Sequence, residues 1–253
     1  GVGDHEIGDN PWNHEQPVKR RVVGTFKSVW ADHFTAGGRR FAQRPRGTAY
    51  EQTSYATYVT PRVLVVTVDV FRELPGHRIR PSVTGGHLAW FRDVLRRGQE
   101  RGATIVVQGH TPVLGPVRTR SSSGLMLAEG AGSGFWRAMR AHDVDLYLAG
   151  EVHATSALHA RTGPVQITHG CLAACCSTSF LTIDVARDSS VVVTSRTIPK
   201  VPGSEAGGPM WQTQREIPSV FRLRPYSVVD GRLRLGPDGD LVSQSGRLTA
   251  PGR

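Results

Sequence analysis

Val63-Leu64-Val65-Val66-Thr67-Val68-Asp69-Val70, residues 86–101 and then Ala103-Thr104-Ile105-Val106-Val107-Gln108-Gly109-His110 form the stretch that decides the fold. The first run is nearly all apolar and β-branched, which predicts a strand buried on both faces. The hydrophobic period then changes. Leu88, Phe91, Val94 and Leu95 fall at i, i+3, i+6 and i+7, one face of a helix. Residues 103–108, with Ile105-Val106-Val107 at their centre, read as a second buried strand with Gly109-His110 at its carboxyl end. Helix and strand thus alternate here, as in an α/β class with a mixed sheet.

Outward from this core the pattern repeats. Residues 55–70 hold two strand-like runs split by Thr60-Pro61. Phe135, Trp136 and Met139 suggest a short helix. Residues 144–149 read as a strand ending in Gly150-Glu151-Val152-His153, and residues 164–168 as another ending in His169. Residues 180–185 and 191–194 flank Asp188-Ser189-Ser190 as a hairpin. Residues 1–50 are rich in Gly, Pro, Asn and Arg and read as a long loop with short helices at most around residues 22–34. Two Asp-Gly pairs, Asp230-Gly231 and Asp238-Gly239, read as turns between short alternating runs. The expected class is α/β with mixed sheets: residues 1–198 as the main domain, and residues 199–253 as a small β-rich extension with a frayed tail.

Composition narrows the function. The 253 residues carry 31 basic and 21 acidic side chains, a formal net charge of +10. Only Lys19, Lys27 and Lys200 are lysines, so Arg supplies 28 of the basic residues. Arg forks phosphate well. Yet the arginines are scattered and no basic run is interleaved with aromatics, which argues against nucleic acid as the partner. No apolar stretch approaches the ~18 residues of a transmembrane helix. Cys171, Cys175 and Cys176 are an odd, clustered set without a second pair at zinc-ligand spacing, and read as small buried apolar residues.

The chemistry sits at the strand ends. Gly109-His110 and Gly150-Glu151-Val152-His153 each place potential metal ligands after a strand, where loops converge on one crevice. Gly3-Asp4-His5-Glu6 adds a carboxylate and an imidazole on a third loop. Asp69 ends a buried strand and reads either as a turn-former or as an orienter of a neighbouring loop or ligand. His169 reads as a crevice residue or as a polar strand end. His14, His33, His77, His87, His142 and His159 have no partner spacing and are expected at surface or cap positions. Trp12 and Trp30 read as packing residues or cleft walls.

Taken in order, these blocks resemble the calcineurin-like metallophosphoesterases, the superfamily that includes the purple acid phosphatases. Gly3-Asp4-His5-Glu6 is similar to the family's Gly-Asn-His-Asp/Glu block, Gln108-Gly109-His110-Thr111-Pro112 to its Gly-His block, and Gly150-Glu151-Val152-His153 to its Gly-His-x-His block. The resemblance covers about residues 1–185. It implies stacked mixed β-sheets flanked by helices, an αββα arrangement. It also implies a dinuclear metal site that binds a phosphoester, activates water and steadies the leaving oxygen. By position, Asp4, His110 and Glu151 would ligate the second metal, His153 the first, and His5 would contact phosphate and protonate the leaving group. Asp4 stands where the family has Asn, and Glu151 where it has His. The two added carboxylates favour Mn, Fe or Mg over Zn. The family's opening Asp-x-His and Gly-Asp-x-x-Asp blocks have no counterpart, so the first metal keeps only His153. A non-Met start inside a family block points to a missing amino-terminal segment. The resemblance thus implies a metal-dependent phosphoesterase acting on a small phosphoester. Its rivals are a degenerate, non-catalytic binding module on the same fold and a polyanion-binding basic protein. Substrate, compartment and oligomeric state are not readable from the residues.

Overall fold

In a computed structural model of the chain, the structure describes residues 2–4, 25, 27, 29, 43–75, 78–117, 124–170, 179–198 and 227–249. The strands are β1 (Tyr55–Thr60), β2 (Val63–Thr67), β3 (Phe71–Leu74), β4 (Arg78–Pro81), β5 (Thr104–Gln108), β6 (Leu146–Ala149), β7 (Ser156–His159), β8 (Val165–Thr168), β9 (Ser179–Val185), β10 (Val191–Thr197), β11 (Val228–Leu235) and β12 (Leu241–Gly246). Two α-helices join them among the described residues, α1 (Gly85–Glu100) and α2 (Gly134–Ala141).

A six-stranded mixed sheet in the order β1-β2-β5-β6-β8-β7 forms the centre. β2, β5, β6 and β8 run parallel, and β1 and β7 close the edges antiparallel. α1, the helix that the periodicity predicts, supplies the β2-to-β5 crossover. It buries Phe91, Val94 and Leu95. Gly98 lets helix and sheet approach closely, because a Cβ there would lie 2.7 Å from Leu64 Cδ2 and 2.9 Å from Ile105 Cδ1. α2 begins at Ser133, whose Oγ accepts a hydrogen bond from Trp136 N at 3.1 Å. Both helices share one core with the sheet, built on Leu64, Val66, Phe91, Leu95, Ile105, Val107, Phe135 and Tyr147.

The other face of the sheet packs on a second, antiparallel sheet in the order β12-β11-β10-β9. Val106, Leu146, Val165 and Ile167 from the first sheet meet Val191, Val193, Leu233 and Leu235 from the second. The fold is therefore α/β, with helices over one face of a mixed sheet and a second sheet stacked on the other.

Two details differ from the sequence reading. The expected boundary at 198/199 separates β10 from β11, yet these strands are hydrogen-bonded neighbours from Val191↔Leu235 to Thr197↔Val228. Residues 228–235 complete the second sheet because Leu233 and Leu235 are needed in its core. Asp230-Gly231 lies inside β11, where Gly231 admits the Leu248 backbone, 2.9 Å from a would-be Cβ. Asp238-Gly239 does turn the chain, with Gly239 at φ 81 and Gly236 N donating to Asp240 O. Most of the loop expected over residues 1–50 falls outside the described residues; of those described, Thr25, Lys27 and Val29 are helical.

Candidate metal centre

The four parallel strands end level with one another. Thr67 is in register with Gln108, Gln108 with Leu148, and Ala149 with Thr168. Gly109-His110 and Gly150-Glu151 therefore leave the same sheet edge on adjacent strands. The two loops are tied together: Gly109 N donates to Leu148 O at 3.0 Å and Gly150 N to His110 O at 2.9 Å. Both glycines are needed for the approach. A Cβ on Gly150 would sit 3.2 Å from His110 Nδ1, and one on Gly109 would sit 2.7 Å from the Tyr147 hydroxyl.

The third loop reaches the same point. Val2 is buried in the helix-side core, and Asp4 is buried with it. His110 Nε2 lies 3.1 Å from Asp4 Oδ1 and 3.1 Å from Glu151 Oε2. One ligand atom from each of the three residues falls within 4.8 Å of the others, and this is the only such cluster among the described residues. Glu151 Oε1 also accepts from Leu125 N at 3.4 Å. The Phe71 ring stands 5.7 Å from the His110 ring and walls one side.

Electrostatics favour a cation here. Burial pulls the His110 imidazolium toward neutrality, but hydrogen bonds and charge from Asp4 and Glu151 outweigh it and lift its pKa to about 9. A proton at Nε2 fills the place an ion would take between two carboxylates. Glu151 at φ 61 and His153 at φ 49 are non-glycine residues in the left-handed region. Strain of this kind persists only where surrounding contacts hold the loop in place.

The oxygen–nitrogen–oxygen donor set fits a hard divalent ion.

The structure thus gathers Asp4, His110 and Glu151. His153 stands two residues further along the same loop, outside that cluster, with its Nδ1 buried and unpartnered among the described residues. Ligands for one ion, not two, are brought together among those residues. His5 lies outside them, as do His14, His33, His77, Trp12, Trp30 and the three cysteines. His169 is half-buried at the end of β8, and burial holds its pKa below the usual histidine value.

Asp69 is fully buried and orders the neighbouring loops. Its Oδ2 accepts from Thr53 Oγ1 at 2.6 Å and pairs with Lys27 Nζ at 2.7 Å, while its Oδ1 accepts from Phe71 N at 3.0 Å. His87, expected at a surface or cap position, is instead 1% exposed. Its ring stacks on Tyr50 at 4.1 Å and on Trp90 at 5.7 Å. The apolar helix face turns it inward, which sequence spacing alone does not reveal.

No protein-family model matches the sequence. No curated protein matches it either. Among solved structures the chain is similar to a dimetal phosphatase from Danio rerio, at 18% identity over 57% of each chain with a TM-score of 0.45. It is also similar to the anchor protein of the Plasmodium inner membrane complex, at 11% identity over 62% of this chain and 51% of that one, with a TM-score of 0.33. The chain therefore spans 57% and 51% of the lengths of these two structures. No helix among the described residues is long and apolar enough to cross a membrane.

Proposed function

We propose that the chain is a metal-dependent hydrolase of phosphoesters, with Asp4, His110 and Glu151 as its central metal ligands. The observation that carries this reading is the convergence of these three side chains at the carboxyl edge of a parallel sheet. The order of the sequence blocks supports phosphoester as the bond attacked.

A hard divalent ion held by Asp4, His110 and Glu151 would supply Lewis acidity to a phosphoryl oxygen and acidity to a coordinated water. Mn, Mg and Fe suit the donor set better than Zn. The chain's own residues do the rest. Asp4 and Glu151 each present a carboxylate oxygen to the ion. His110 must shed its proton to bind, so uptake releases a proton and strengthens as pH rises. His153 extends the same loop, and we assign it to a neighbouring ion position. His5 is assigned as proton donor to the leaving oxygen. Phe71 excludes water on one side of His110.

Titration of the chain with Mn(II), paired with hydrolysis of p-nitrophenyl phosphate and bis(p-nitrophenyl) phosphate, tests the reading. Uptake and metal-dependent hydrolysis are expected, and His110→Ala and Glu151→Ala should each abolish both. Hydrolysis that survives both substitutions would sink the assignment.

A further inference from the structure

Two fully buried side chains outside the ligand set hold the loop that carries His110, and among the described residues neither has a polar partner elsewhere. Tyr147, on β6, passes directly beside Gly109; its hydroxyl donates to Thr111 O at 2.6 Å. It therefore reaches past the residue before His110 and grips the residue after it. Phe135 packs edge-on against the Tyr147 ring at 5.6 Å and fixes the direction of that reach. Burial pushes the Tyr147 pKa far upward, so the hydroxyl remains a donor at any working pH.

Gln166, on β8, holds the next two residues. Its Oε1 accepts from Val113 N at 2.7 Å and Leu114 N at 2.8 Å, and its Nε2 donates to Leu114 O at 2.9 Å. These are three hydrogen bonds from one amide to a segment with no strand of its own. Leaving any of those backbone groups buried and unpaired costs about 1–3 kcal/mol. The loop 111–114 is thus pinned to β6, which carries Glu151 at its end, and to β8 beside it.

We infer that Tyr147 and Gln166 are positioning residues for the metal centre, a clamp on the 111–114 loop that sets where His110 Nε2 points relative to Asp4 and Glu151. The inference rests on the metal-centre reading above. Small changes in such outer partners weaken metal affinity about 10–100-fold, because a ligand displaced by a few tenths of an ångström no longer matches its neighbours.

The test is calorimetric titration of the full chain with Mn(II), together with the visible spectrum of Co(II) added in its place. Tyr147→Phe removes one hydroxyl and keeps the packed ring, so the fold survives. Its Kd for Mn(II) should rise about tenfold and its Co(II) band should shift in position or intensity. A Kd within about twofold of wild type and an unchanged Co(II) spectrum would overturn the clamp. Gln166→Glu retains an acceptor for Val113 N and Leu114 N, whereas Gln166→Leu retains none. Gln166→Glu should therefore keep more of the wild-type affinity; equal affinities for the two would overturn the part given to Gln166. If Gln166→Leu fails to fold, Tyr147→Phe still decides. Wild-type uptake that is absent, or that persists in His110→Ala, overturns the metal centre itself and the clamp with it, a result distinct from failure of the clamp alone.

Discussion

His87 ties stability to pH in a way that can be measured. The imidazole is sandwiched between Tyr50 and Trp90, and neither ring nitrogen has a hydrogen-bond partner among the described residues. Burial lowers its pKa from 6.5 to about 4; the Asp69 carboxylate opposes that fall and Lys27 adds to it. The folded protein therefore holds His87 neutral while the unfolded chain protonates it below 6.5. Because the folded pKa is depressed, stability is intact above 6.5 and declines as pH falls toward 4. At 1.36 kcal/mol per pH unit the full loss from this residue is about 3 kcal/mol, and about 2 kcal/mol of it has gone by pH 5. Urea unfolding at pH 7.5 and pH 5.0 in EDTA, for wild type and His87→Phe, isolates the contribution, since every other titrating group is common to both. The phenyl ring keeps the stacking but cannot take a proton. Wild type should lose about 2 kcal/mol more than the variant over this interval. Equal losses in the two proteins would refute the reasoning.

Other perturbations probe the remaining structure. Mn(II) at about one hundred times its Kd should stabilise the protein by about 2.7 kcal/mol, seen as a rise in Tm that EDTA reverses and Glu151→Ala removes. Gly109→Ala drives a methyl to 2.7 Å from the Tyr147 hydroxyl and 3.2 Å from Val70 Cγ1, and should cost about 1–3 kcal/mol in thermal melts. Asp69→Ala strands Lys27 and leaves Thr53 and Phe71 N without their acceptor; a loss of about 3 kcal/mol is expected by urea unfolding. Leu233→Ala, in the core between the sheets, should cost about 2–5 kcal/mol, and a chain ended at residue 198 should show no cooperative unfolding transition.

The local pattern carried β2, α1 and β5 well. Residues 63–66 and 105–107 are apolar runs, and the four apolar positions of α1 repeat at helical spacing up to the Gly102 that ends it at φ 61. The β3–β4 hairpin did not show. Phe71–Leu74 and Arg78–Pro81 are four residues each, and Arg72, Glu73, Arg78 and Arg80 are exposed, so no periodic apolar signal marks them. β7 was missed for the same reason of length, since Ser156–His159 has only two apolar residues. Gly231 misled as a turn former because a glycine admitting a neighbouring backbone and one turning the chain look alike in sequence.

By itself, the sequence determined β2 and β5, the helix between them, and the placing of Gly109-His110 and Gly150-Glu151 at strand ends. Those features depend on side-chain period and backbone freedom within a few residues, which a linear reading contains. The resemblance grouped Asp4, His110 and Glu151 apart from His153, and the tertiary structure gave that grouping its distances; only the tertiary structure decided that His87 is buried, that β11 belongs to the same sheet as β10, and that Tyr147 and Gln166 grip the His110 loop. These contacts join residues tens of positions apart. They form because folding buries two apolar faces of one sheet at once, and that constraint has no local signature in the chain.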